Sequence, residues 1–426
     1  SPNAEPDRVS VAGVVSPVIC VRETDGERRM RLPTRTRQTT LHPSVGQSTQ
    51  APNDSKGERR TYSPSMADLP YDAILLVSFG GPEGPDDVIP FLENVTRGRG
   101  IPRERLAQVG EHYAHFGGVS PINEQCRRQR AALARALADA GMSLPVYWGN
   151  RNWDPYLSDE IERMAEDGVT RALAVFTSAY SSYSGCRQYR ENIIAARDEV
   201  AERRPDLTIP HIDKVRAYYD HPGFIEPFAE ATRTAVDELG EDARPTLVFT
   251  AHSIPMSMAS TSDYEAQLAQ AARLVAERVA DPAPPHTLVW QSRSGPPQIP
   301  WLEPDVNDEI RRLAHSGVES VVIVPVGFVS DHIEVMWDLD AEAAATAADA
   351  GILFARAVAP GTEPVDAFVG MWVDLVRERI EAERGGSPAR AALGALEVRP
   401  DVCRVDCCPA PQRPVGRPGG PPGQQS

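Results

Sequence analysis

The chain has 426 residues, 41% of them hydrophobic, enough for a large core and about two to three domains. No run approaches the ~18 consecutive apolar residues a spanning helix needs, and the apolar stretch 11–20 is short and interrupted by Pro17, unlike a signal peptide. The net charge of −16 is uneven. Residues 1–66 carry 10 Lys and Arg against 7 Asp and Glu, and the remaining 360 hold a net −19. That balance argues against a nucleic-acid partner, whose phosphates need clustered Lys and Arg, and the lack of a spanning run and of a signal peptide makes a cytoplasmic protein the expectation.

Residues 1–67 are rich in Ser, Thr, Pro, Arg and Gln without a period of 2 or 3.6, and read as a disordered extension. Met66 reads as the natural initiator, with a translated extension as the alternative. The globular sequence opens on a strand over 74–79 that ends in Gly80-Gly-Pro82. Asp86 or Asp87 is positioned to cap the next helix, with Gly98 as its stop. A helix over 125–140 follows, then strands over 145–149 and 172–177 with a helix over 159–167 between them. The second part repeats this logic with a helix over 224–239, a strand over 246–251, a helix over 264–280 and a strand over 287–291. A helix near 306–315, a strand over 320–329, a helix over 334–350 and a closing helix over 365–383 complete it. Residues 385–426, rich in Gly, Pro and Arg, read as a tail that builds no core.

Strands separated by helices of ten or more residues mean βαβ units and parallel sheets. The expectation is an α/β protein of two doubly wound, Rossmann-like halves, 68–215 and 216–384, with a cleft between them. Ligands in such sheets bind beyond the carboxyl ends of the strands, and two of those ends carry chemistry. The strand over 246–251 delivers His252, and the strand over 320–329 delivers Asp331 and Glu334. A neutral imidazole and a carboxylate suit a borderline divalent metal held with open positions, and both can take up protons. The plainer alternatives are a hydrogen-bonded rim histidine and an Asp331/Glu334 capping box. Asp331, Glu334, Asp338 and Glu342 recur at steps of three, four and four, which predicts one acidic helical face. The helix over 334–350 contains no basic residue, so that face reads as a cation path.

Thr250-Ala-His-Ser-Ile-Pro255 and Val324-Pro-Val-Gly-Phe-Val-Ser-Asp-His-Ile-Glu334 resemble the two signature segments of the ferrochelatase family. The similarity continues through Phe116-Gly-Gly-Val-Ser-Pro121 and Val289-Trp-Gln-Ser-Arg293 with Pro300-Trp-Leu-Glu-Pro304. Gly149-Asn-Arg-Asn-Trp153 and Thr177-Ser-Ala-Tyr-Ser-Ser-Tyr-Ser-Gly-Cys186 resemble the actinobacterial, coproporphyrin III branch in particular. The resemblance covers about 71–383 and implies a chelatase-like fold that inserts Fe²⁺, as substrate, into a porphyrin of haem biosynthesis. It further implies a downstream haem-pathway enzyme as recipient of the product, and no nucleotide cofactor. No Gly-x-Gly-x-x-Gly or Walker A sequence is present. By this resemblance His252 and Glu334 bind iron and handle protons. Phe79, His112, Tyr113, Ser120 and Tyr189 match positions that contact the porphyrin; Arg97 and Arg99 read either as charge partners for its propionates or as plain surface arginines. Phe79 stands where some relatives place a Tyr ligand to iron, so here the position supplies an apolar face. The rival readings are a protoporphyrin IX enzyme, a cobalt chelatase of the same architecture, and a non-catalytic tetrapyrrole-binding protein.

Six cysteines are too sparse for a disulfide scaffold in a chain this long. The resemblance implies a 2Fe-2S cluster held by Cys186, Cys403, Cys407 and Cys408. Zn²⁺ in the same four thiolates and free thiols in a frayed tail are the alternatives. Cys20 and Cys126 read as unrelated.

Overall fold

The computed structural model of the chain describes residues 69–411, Arg99 and Pro296 excepted. The extension over 1–67, Cys20 and the charge-pairing role of Arg99 therefore lie outside the described residues. Eight strands form two parallel four-stranded sheets. The first holds β1 (Ala73–Ser78), β2 (Val146–Asn150), β3 (Arg171–Phe176) and β4 (His211–Lys214), in the order β2-β1-β3-β4. The second holds β5 (Thr246–His252), β6 (His286–Gln291), β7 (Ser320–Val324) and β8 (Leu353–Arg356), in the order β6-β5-β7-β8. β1 and β7 are buried at every position, as continuous apolar strands covered on both faces by helices must be.

In the first sheet α1 (Val88–Val95), α2 (Arg103–His115) and α3 (Ile122–Asp139) lie between β1 and β2. There α4 (Leu157–Glu166) and α5 (Gln188–Arg203) make the next two crossovers. The linking helix α6 (Pro222–Glu238) leads to the second sheet. There α7 (Met256–Ala259), α8 (Tyr264–Val279) and α9 (Val306–His315) precede β7. α10 (Ile333–Val335), a π-helix over Met336–Ala343 and α11 (Ala344–Ala350) follow it, and α12 (Asp366–Glu383) comes last. The strand order in each sheet reverses its direction of growth between β1 and β3 and between β5 and β7. These are the topological switch points, where a crevice opens beyond the strand ends.

The expected strand over 320–329 is shorter than its apolar run. Pro325 has no N–H for the ladder, so β7 stops at Val324 and the chain turns. Gly327 then donates its N–H to Thr250 O at 3.0 Å, and a Cβ there would lie 2.4 Å from Ala251 Cβ. Only glycine lets this loop pass so close behind β5. Asp87 precedes α1, but its carboxylate accepts from Glu83 N at 3.1 Å instead of capping the helix.

One hydrophobic cluster runs from Tyr71 to Ile380 and includes residues of both sheets and of α3, α6, α8 and α12. Polar bridges cross the same boundary. Gln129 Nε2 donates to Ser330 Oγ at 2.8 Å and to Gly361 O at 2.7 Å, and Tyr180 donates to Val326 O at 2.7 Å. Arg216 and Glu378 form a buried bidentate pair at 2.8 and 3.0 Å. Such a pair repays its desolvation only when its remaining groups are also bonded.

That remaining need fastens the tail, which builds no core of its own. Residues 385–411 contain no helix or strand, yet they are docked on the body. Arg216 also donates to Ala391 O at 2.8 Å, Leu393 N donates to Asp220 O at 2.9 Å, and Ala395 N and Leu396 N donate to Gln270 Oε1 at 2.9 and 3.0 Å. A segment without a core of its own is held by polar groups that the body presents to it.

Candidate active site

His252 ends β5 at the second switch point. Its Nδ1 lies 2.6 Å from Ser253 O, an atom that only accepts, so Nδ1 carries the proton and the neutral ring keeps its lone pair on Nε2. That Nε2 lies 3.8 Å from Glu334 Oε2. Both side chains remain partly exposed, at 36% and 50%. The Gly327 crossing brings the loop after β7 against β5, and α10 then carries Glu334 toward His252.

Asp331 does not join the acidic line. It is buried before the helix begins, and Arg356 of β8 pairs with it at 3.1 and 3.2 Å. Nor is there a capping box, because extended His332 occupies the cap position and makes no side-chain cap bond. Glu334, Asp338 and Glu342 do continue along the helix, whose turns are widened by one residue in the π segment. Asp338 Oδ2 accepts from Ser292 Oγ and, at 3.2 Å, from Gln291 Nε2. Burial, with Glu334 and Glu342 nearby, pushes its pKa up to about 7.

A carboxyl pKa raised on folding means the folded state binds the proton more tightly than the unfolded one. The stability so gained is complete below about pH 4 and is lost as pH rises through about 7. Asp338→Asn is therefore expected to melt with wild type at pH 4 and to be more stable at pH 8. A gain of about 2 kcal/mol allows for partial exposure. Denaturant unfolding at the two pH values checks this.

The first switch point carries Phe79 after β1 and Arg151 after β2. Phe79 is 37% exposed and meets Phe91 edge-on at 6.3 Å. The Arg151 guanidinium lies 5.7 Å from the Phe79 ring centre and 4.3 Å from that of Tyr189, and its Nε donates to Asn192 Oδ1 at 2.7 Å. Sequence reasoning missed Arg151, although it is the first residue past a strand end, the same signal that picked out His252. Tyr113, Ser120 and Tyr189 are each less than a tenth exposed and form walls behind this surface. Tyr113 packs on Phe91 at 6.1 Å, Ser120 backs Gly81, and Tyr189 packs on Phe176 at 5.0 Å. His112 lies flat against Trp337 of the π-helix.

Cys186 lies in a π turn, Tyr183–Arg187, just past β3. Cys407 Sγ lies 3.5 Å from Cys408 Sγ. The neighbouring thiols of Cys186 and Cys403 act on each other, holding the pKa of Cys186 up and that of Cys403 down. Arg187 donates to Val405 O and Cys407 O at 3.1 and 3.2 Å, fastening the tail. A cavity of about 620 Å³ opens beside Cys403, Cys407 and Cys408. The four thiols suit thiolate ligation in kind. Among the described residues, however, no group of three or more His, Cys, Asp or Glu is arranged to hold a metal ion. Cys126 is apart, buried in α3.

Two parallel sheets that share a core cluster, with their chemistry at the strand ends, define a doubly wound α/β protein. The sequence matches the family model described as Ferrochelatase over residues 71–380. It is 54% identical over 360 residues to a protein of Rhodopirellula baltica named ferrochelatase, covering 83% of this chain and 99% of that one. Coproporphyrin III ferrochelatases of Streptomyces griseus and Nocardia farcinica are 50% and 51% identical, covering 81% of this chain in each case and 96% and 98% of theirs. The chain belongs to the ferrochelatase family, and its activity is the metal insertion of haem synthesis. No helix among the described residues is long and apolar enough to cross a membrane.

Proposed function

We propose that the chain inserts Fe²⁺ into coproporphyrin III to give Fe-coproporphyrin III, with His252 and Glu334 as the metal- and proton-handling pair. The observation that carries the reading is the 3.8 Å separation of His252 Nε2 and Glu334 Oε2. It is too long for a hydrogen bond and is a span that two ligands of one first-row ion cover at about 2.1 Å each. Metallation also expels two pyrrole protons, and the free Nε2 lone pair and the carboxylate are both bases. Glu342, with Asp338 once it ionises above about pH 7, extends the negative charge away from this pair, a route for an incoming cation. Phe79 offers an apolar face for the macrocycle and no ligand to iron. Arg151 offers a guanidinium for a propionate.

Two curated relatives carry coproporphyrin III in their names and the Rhodopirellula protein does not, so the substrate is the point to test. Zinc insertion followed by fluorescence, with coproporphyrin III and protoporphyrin IX in competition, is expected to favour coproporphyrin III by about tenfold, the effect of one additional charge-assisted contact. Equal or better turnover of protoporphyrin IX assigns the enzyme to the other substrate.

Cys186, Cys403, Cys407 and Cys408 are the residues that would hold a 2Fe-2S cluster, and their number and thiol chemistry, not their present arrangement, support this reading. The chemistry such a group supplies when bound is one-electron exchange and a cross-link between the tail and the loop after β3. No step of metal insertion is assigned to it.

A further inference from the structure

We propose that the stack of His112 on Trp337 is a latch between the two halves of the molecule, and that Trp337 is a positioning residue for metal uptake. The proposal rests on the reading that Glu334 and Asp338 handle the metal, and it gives His112 a role other than a porphyrin contact.

Trp337 lies in the π-helix between these two acids, three residues after Glu334 and one before Asp338. Its ring is contacted by two side chains from the other half. The His112 ring lies flat on it, centres 4.1 Å apart and planes 7° apart, and His115 meets it edge-on at 5.5 Å and 83°. Both histidines sit on the last turn of α2, three residues apart, and so share one helical face. The indole Nε1 is buried and has no hydrogen-bond partner, so ring packing alone sets the orientation of Trp337. Burial lowers the pKa of His112 despite the nearby Glu342, which keeps the ring neutral and suited to stacking.

The stack sits on an apolar contact of the same two elements. Ile333 of α10 packs in one cluster with Phe91 and Leu92 of α1 and Leu106 and Tyr113 of α2. The hairpin of α1 and α2 is thus keyed twice to the helix that carries the acids. A π-helix is an uncommon conformation, retained where its surroundings hold it. Freeing Trp337 lets the segment turn about its axis, and Glu334 and Asp338 turn with it. A loosened latch therefore weakens metal uptake before porphyrin binding, whereas loss of a porphyrin contact does the opposite.

Steady-state zinc insertion, with each substrate varied in turn, tests this on the full chain. His112→Ala and Trp337→Ala are each expected to raise the KM for Zn²⁺ about fivefold, the loss of one aromatic contact, with the KM for coproporphyrin III within about twofold of wild type. His112→Phe keeps a stacking ring without an imidazole and is expected to recover most of the loss. Melting temperatures confirm that each variant compared is folded, and the Phe variant stays informative if an Ala variant is not. A rise in porphyrin KM alone, no change in either KM, or a Phe variant as defective as the Ala variant overturns the latch. Failure of the underlying site reading is distinguishable, because His252→Ala would then retain turnover.

Discussion

His252→Ala is expected to lower metal insertion by at least about a hundredfold, the lower range for loss of a positioned acid or base. Its dissociation constant for porphyrin should stay within about twofold, because the proposed role is confined to the metal and its protons. The structure gives reasons for an effect this large. Nδ1 is committed to Ser253 O, so Nε2 is the free base of the ring. Glu334→Gln keeps the size of the side chain and removes its charge. It should fall by a similar factor, because an amide neither binds a divalent cation strongly nor accepts a pyrrole proton. Stopped-time zinc insertion gives the rate, and quenching of porphyrin emission gives binding. Turnover of His252→Ala above half of wild type sinks the assignment, and a rate loss matched by lost porphyrin binding moves His252 from the metal to the ring.

The second large effect concerns the thiols. Protein purified without oxygen is expected to be reddish brown, with about two irons and two acid-labile sulfides per chain. Cys186→Ser should lose the colour and all of that iron. Metal ligation that joins residue 186 to residues 403–408 closes a loop of over two hundred residues, and such coupling contributes several kcal/mol to order in the joined segments. Without it the tail retains the bonds of Arg187 to Val405 O and Cys407 O and the pair of Arg399 with Asp263. Limited trypsin digestion should therefore cut the variant after Arg404 at least about tenfold faster than wild type. Colourless wild-type protein with one zinc per chain would replace the cluster with a zinc site. Metal-free protein with an equally protected tail would leave the thiols without a metal role.

Legibility in the sequence followed burial. β1, β5 and β7 read correctly as apolar runs because helices cover both of their faces. β4 and β8 did not, since four residues at a sheet edge, His-Ile-Asp-Lys and Leu-Phe-Ala-Arg, carry no alternation to detect. α2 was missed because only Leu106 and Tyr113 of its thirteen residues are buried. α5 was missed because charges surround its buried Tyr189, Ile193, Ala196 and Val200. His252 and Glu334 were legible as candidates because the strand-end rule needs only the alternation of elements. Asp331 was misread for a related reason: its partner, Arg356, belongs to the unread strand β8, so nothing local to the acid showed that its charge was already engaged. Arg151 sat inside a recognised motif, but its neighbours Phe79 and Tyr189 come from other crossovers. The tail was read as coreless, which is true of its composition. Its anchors, Arg216, Asp220 and Gln270, lie in distant parts of the chain.

The core cluster shared by both sheets has a consequence for how the chain is made. α12 packs on α3 and on α6, so the first sheet leaves the ribosome well before the helix that covers part of it exists. Between Lys214 and Glu383, at ~5–20 residues per second, the nascent first half waits roughly 10–30 s with the apolar side of α3 uncovered. It must be shielded by other means during that interval. A chain ended before α12 would leave that side of α3 facing water, the kind of exposed apolar surface that chaperones and proteases act on.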